Sequence, residues 1–128
     1  MKKIFFILSS LLVVAIASAQ NLNPVSWSFS SKKISDNVYE LQIIATIQQG
    51  WHVYSQNQPK DAIAQPTLFA FNKNPLLQFD GNVKEVGNLE KFKDKELDIS
   101  ANQYSNKVTF IQRVKLRGKA KTNVTGKL

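Results

Sequence analysis

Two stretches carry residues of the kinds that do chemistry. Gly50-Trp51-His52-Val53-Tyr54-Ser55 holds the chain's single histidine between two large aromatics, and Asp94, Glu96 and Asp98 alternate with Lys93, Lys95 and Leu97. A histidine near a serine raises nucleophilic catalysis, and carboxylates at alternate positions raise acid–base work or cation binding. Neither pattern goes far. No nucleophile elbow surrounds His52. A metal centre needs three or four ligands, and with no cysteine and one histidine only carboxylates and amides remain. The zero cysteine count also removes any disulfide or thiolate nucleophile from this chain. We therefore assign no catalytic residue, no metal ligand and no cofactor.

In an extended strand, Trp51, Val53 and Ser55 share one face while His52 and Tyr54 share the other. The expectation is that Trp51 and Val53 fill the core and that His52 and Tyr54 cover its edge. The lysines between Asp94, Glu96 and Asp98 favour a solvated loop over a reactive cluster. Asn123-Val124-Thr125 matches a glycosylation sequon, a pattern too common by chance to carry weight.

The elements that must position these residues follow a period of two. Val25, Trp27 and Phe29 alternate with serines. Ser35 to Asn37 is a turn signal, and Tyr39, Leu41, Ile43, Ala45 and Ile47 then form the apolar row of a long strand. The short connection Gln49-Gly50 predicts an antiparallel hairpin into Val53. Asn57 to Pro66 reads as a loop, and Thr67 to Phe71 as a strand ended by Asn74-Pro75. Asp80-Gly81-Asn82 predicts a turn between two short strands. From Gly87 to Gln103 the periodicity dissolves, predicting a long functional loop or a short helix. Val108, Phe110, Val114 and Leu116 then form an inner row that Gln112 interrupts, with Thr109, Arg113, Lys115 and Arg117 facing water. Thr122 to Leu128 begins one more alternation. Around seven short strands with turns between them predict an all-β chain, an immunoglobulin-like β-sandwich, with a small barrel as the alternative.

The compartment is legible at the N-terminus. Lys2 and Lys3, an apolar run from Ile4 to Ile16 and the small residues Ala17-Ser18-Ala19 make a secretory signal cut before Gln20. The run is shorter and more interrupted than the ~20 apolar residues of a membrane span. Residues 20–128 are expected as one periplasmic or secreted domain with no transmembrane segment. The net charge of +8 is unevenly placed, because every charged residue from Lys107 onward is basic. That strip is expected to be mostly a solvated face, with an anionic partner as the alternative. Nucleic acid is a poor candidate for an exported domain without a binding motif.

Gly50 to Ser55, the opening Asn23-Pro24-Val25-Ser26-Trp27-Ser28-Phe29-Ser30, and Tyr104 to Val114 together resemble the N-terminal periplasmic domain of the thiol:disulfide interchange protein DsbD, over most of residues 21–128. The resemblance implies an immunoglobulin-like domain that passes reducing equivalents between thioredoxin-like periplasmic proteins through mixed disulfides. It implies that Asp94 to Ile99 is a cap loop (Asp94, Glu96, Leu97, Asp98), with Leu97 where the family has an aromatic tip. His52, Tyr54 and Tyr104 would line the pocket beneath it. The family's cysteine pair lies in a final hairpin, and this sequence ends at Leu128 ahead of any such pair. A fragment of marginal stability is the expectation, because Val124 and Leu128 resemble half a strand. The alternatives are a cysteine-free relative that kept the fold, and a cysteine-free module that binds a protein or anionic partner.

Overall fold

The computed structural model describes residues 23–119 and 121–128, so the expected signal segment and its cleavage point before Gln20 lie outside the described residues. Among the described residues the chain forms nine strands: β1 (Val25–Ser35), β2 (Val38–Ile47), β3 (Val53–Tyr54), β4 (Ala70–Phe71), β5 (Leu77–Gly87), β6 (Glu90–Asp94), β7 (Ile99–Tyr104), β8 (Lys107–Leu116) and β9 (Gly126–Lys127). The chain is all-β, with no helix among the described residues. None therefore is long and apolar enough to cross a membrane.

Every pairing is antiparallel, in three sheets ordered β1-β2-β8-β5, β3-β7-β6 and β4-β9. Asn37, at φ 61°, lets Asp36-Asn37 reverse the chain between β1 and β2. β2 and β8 are the long central strands, in register Ile43↔Phe110 and Ala45↔Val108. Their inward residues form the core. Ala45, Val108 and Phe110 are wholly buried, with Ile43, Ile47, Val53 and Tyr104 packed around them. Trp27 and Phe69 tilt against the Phe110 ring at centroid distances of 6.3 and 4.9 Å. Val53 and Tyr104 belong to the second sheet, so the core is made between two layers in the manner of a sandwich.

Three local expectations differ. Gln49-Gly50 does not close a hairpin, because both edges of β2 are already taken by β1 and β8. The chain turns instead at Gln48–Trp51, where Trp51 N donates to Gln48 O at 3.0 Å and Gly50 sits at φ 86°. It then crosses to the second sheet, where Val53 pairs with Tyr104. Asp80-Gly81-Asn82 is not a turn either. β5 runs through it, with register slipping between Asp80↔Arg113 and Lys84↔Ile111. This bulge leaves carbonyls without ladder partners. Gln112, the residue that interrupts the apolar row, supplies the missing donor: its Nε2 reaches Asp80 O (3.3 Å) and Gly81 O (3.1 Å). The charged stretch Gly87–Gln103 is neither loop nor helix for most of its length. It is the β6–β7 hairpin, whose alternation is muted because β6 is an exposed edge strand.

Candidate functional site

β3, β7 and β6 carry nearly all the residues singled out in the sequence. The register Tyr54↔Gln103↔Glu90 puts these three side chains on one face of the small sheet, where Tyr54 and Glu90 are exposed and Gln103 between them is buried. His52 lies beside them. Its Nδ1 is 2.9 Å from Ser105 Oγ and 4.0 Å from Glu90 Oε2. Tyr54 is 40% exposed, and on the same outward face Phe92 is 46% exposed. His52 and Tyr54 are both exposed, with Tyr54 on the face opposite Val53. Trp51 does not fill the core; it is 45% exposed because the Gln48–Trp51 turn carries it past the end of the sheet.

The segment Asp94 to Ile99 is the tip of the β6–β7 hairpin. Asp94 Oδ1 accepts from the backbone N–H of Glu96 (2.9 Å) and of Leu97 (3.1 Å), an Asx-type turn that fixes the tip. Asp98 adopts the left-handed region at φ 51°, which an Asp tolerates better than most residues. Glu96 and Asp98 point into solvent, and Leu97 is 69% exposed at the apex. Of the three carboxylates, one is a structural cap and two are solvated. Among the described residues no three of His, Asp and Glu converge in a metal-holding group.

Tyr104 stands apart from the other two pocket candidates. It is inward-facing and 4% exposed, on the opposite side of β7 from Gln103. There it joins a polar cluster that the sequence alone did not reveal. Glu85, on the inner side of β5 opposite Phe110, accepts from Tyr104 Oη (2.6 Å) and Ser55 Oγ (2.7 Å) through Oε2. Its Oε1 accepts from Gln56 N (2.6 Å) and Gln56 Nε2 (3.3 Å). Burial pushes the Glu85 carboxyl up, but the hydrogen bonds from Tyr104, Gln56 and Ser55 outweigh it and hold the group below its ordinary value. Burial first, then the bond and charge of Glu85, push the Tyr104 hydroxyl well above its usual range. Both shifts favour the same pair of states, neutral phenol and ionised carboxylate. With every donor committed, the cluster ties β5 and β7 to the segment that follows β3; its signal in the sequence was only an acid at an inward position of β5.

The basic strip is less bare than its composition suggested. Arg113 lies opposite Glu40 and Asp80 in register, and its Nη2 is 3.4 Å from Glu40 Oε1. Lys119, Lys121 and Lys127 instead gather at a cavity of about 920 Å³ beneath β4 and β9. No protein-family model, curated protein or solved structure matches the chain significantly.

Proposed function

We propose that the chain is an exported, immunoglobulin-like docking domain of a thiol–disulfide relay, one that binds thioredoxin-like proteins. The sulfurs that carry electrons lie outside these 128 residues, because the sequence has no cysteine. The observation that carries the reading is the Leu97 tip. An apolar side chain is held in the open by a turn that Asp94 fixes, at one end of the β6–β7 hairpin; Phe92 is exposed along the same sheet, and Tyr54 and His52 are exposed toward its other end. Exposed apolar residues on a pre-formed turn bind without a large ordering cost. Within a relay this surface would orient a partner so that its thiolate meets a disulfide sulfur in line.

The test is a titration of the isotope-labelled protein with a reduced thioredoxin-fold protein. Shifts centred on Leu97, His52 and Tyr54 are expected, and Leu97→Asp should weaken binding by about tenfold or more. Absence of binding, or shifts confined to β8, would overturn the reading.

A second reading, an anion-binding module, draws on the basic outer strand. The pairing of Arg113 with Glu40 weakens it at β8. Retention on an anionic resin that Lys115→Glu abolishes, with Leu97→Asp silent, would favour it.

A further inference from the structure

The inner face of the four-stranded sheet is roofed unequally. Near Ile43, Ala45 and Val108 it is closed by Val53, Tyr104 and Phe69. Toward Tyr39, Leu41, Leu77 and Val114 it opens into the cavity of about 920 Å³, with Phe71 and Val124 on the far side. Phe29, which shares the inward row of β1 with Val25 and Trp27, is 67% exposed at its mouth. A sheet face this apolar is normally covered by another layer.

The roof over this half is the two-stranded β4–β9 ribbon. Among the described residues β9 pairs only with β4, which leaves its second edge without a strand, and Gly126, Lys127 and Leu128 of that segment line the cavity. The residues lining the cavity include Lys119, Lys121 and Lys127 and no acid. Three features thus coincide: an apolar floor, a strand edge with no second strand beside it among the described residues, and lysines along the rim.

We propose that this cavity is a strand-acceptor site, which takes an extended segment with alternating apolar and acidic side chains from another protein. The segment would pair with β9, turn its apolar side chains down onto Leu41, Phe71 and Val114, and set its carboxylates against the three lysines. A compact amphiphile could cover the floor but would leave the β9 edge unpaired, whereas a strand satisfies both. The site lies on different strands from the Leu97 tip, so it stands independently of the relay reading.

The test uses three synthetic nonapeptides added to the purified protein: alternating Val and Glu, the same composition in blocks, and alternating Val and Lys. The alternating acidic peptide is expected to bind and to slow amide exchange at Gly126, Lys127 and Leu128. Affinity should fall at least about fivefold for the other two peptides. Combining Lys121→Glu with Lys127→Glu, both exposed changes that leave the core intact, should reverse the preference between the Glu and Lys peptides. Equal binding of blocked and alternating peptides would overturn the proposal. So would displacement of a bound peptide by myristate with no loss of exchange protection at β9, or peptide-independent dimerisation that buries the cavity. Titration at the Leu97 surface is read in the same spectra, so either site can fail without the other.

Discussion

Tyr104 and Glu85 meet inside the domain: the phenol of β7 donates to the carboxylate of β5 across a distance of 2.6 Å. The bond links the small sheet to the large one, and Ser55 beside β3 adds a second link to the same oxygen at 2.7 Å. Glycine at 87 gives the ring its room, since a Cβ there would stand 3.1 Å from Tyr104 Cδ1 and 3.2 Å from Lys107 O. Tyr104→Phe keeps the ring and removes the donor. A loss of about 1–2 kcal/mol is expected, the cost of leaving a half-buried charged acceptor short of a partner that solvent in part replaces. Thermal melting reads it directly, at about 4–8 °C per kcal/mol for a domain of this size.

The same cluster sets a pH dependence. The Glu85 carboxyl titrates below 4.5 in the folded chain, so its stabilisation is present above the unfolded value and is lost as pH falls through the folded one. Glu85→Gln should be less stable than the parent at neutral pH and should lose less stability than the parent as pH falls from about 5 to 2, because Asp61, held low by Ser100, keeps its own acid dependence. Parallel curves in urea across that range would contradict the assignment. Tyr104 contributes at the other end. Its folded pKa is raised above 10.0, so its share is complete below that value and is lost as pH climbs through the folded value.

Gln112→Leu tests the bulge in β5. The substitution keeps the side chain's bulk and burial but removes the Nε2 donor to Asp80 O and Gly81 O. Destabilisation of about 1–3 kcal/mol is expected, with exchange protection lost first in β5 from Asp80 to Lys84. A neutral result would show that water replaces the amide there.

Asp94→Ala should act on the hairpin tip and hardly on the fold. The tip is exposed, so the stability change is expected to stay below about 1 kcal/mol. The amides of Glu96 and Leu97 should exchange faster, because their acceptor is gone. If the tip docks a partner, the same change should weaken binding through lost pre-organisation while Leu97 itself remains.

Gly126→Val should detach β9. A Cβ at this position collides with the Ala70 carbonyl and lies 3.0 Å from Phe71 Cα, both backbone atoms that cannot swing aside. Loss of exchange protection at Asn72 N, which donates to Thr125 O at 2.8 Å, is the readout. The core around Phe110 should keep its protection.

The long strands were legible before any coordinates. In β1, β2 and β8 the apolar residues recur at every second position, and the burial of Ile43, Ala45, Val108 and Phe110 follows from that spacing. The solvated Glu96 and Asp98 agree with the exposed stretch expected there, and Tyr54 lies on the opposite face from Val53, as their alternation implied. Asp80-Gly81-Asn82 misled because a glycine at positive φ serves a turn and a bulge alike; Gly81 sits at φ 73° in the bulge. β8 is long enough to pair on both sides of it, so the strand continues. β6 was hidden because an edge strand with charges on both faces has no apolar period to detect.

The alternation of side chains, a property of neighbouring residues, determined that this chain forms strands and which residues turn inward, and its composition alone showed that it carries no cysteine thiol. Which strands pair is a matter of contacts distant in sequence, and only the tertiary structure decided it. It sent β3 to β7 instead of β2, brought Ser55, Gln56 and Tyr104 around Glu85, and left an apolar cavity under β9. The physical reason is that a strand's period constrains its two faces, while its two edges are satisfied by whichever partners the whole fold brings beside them.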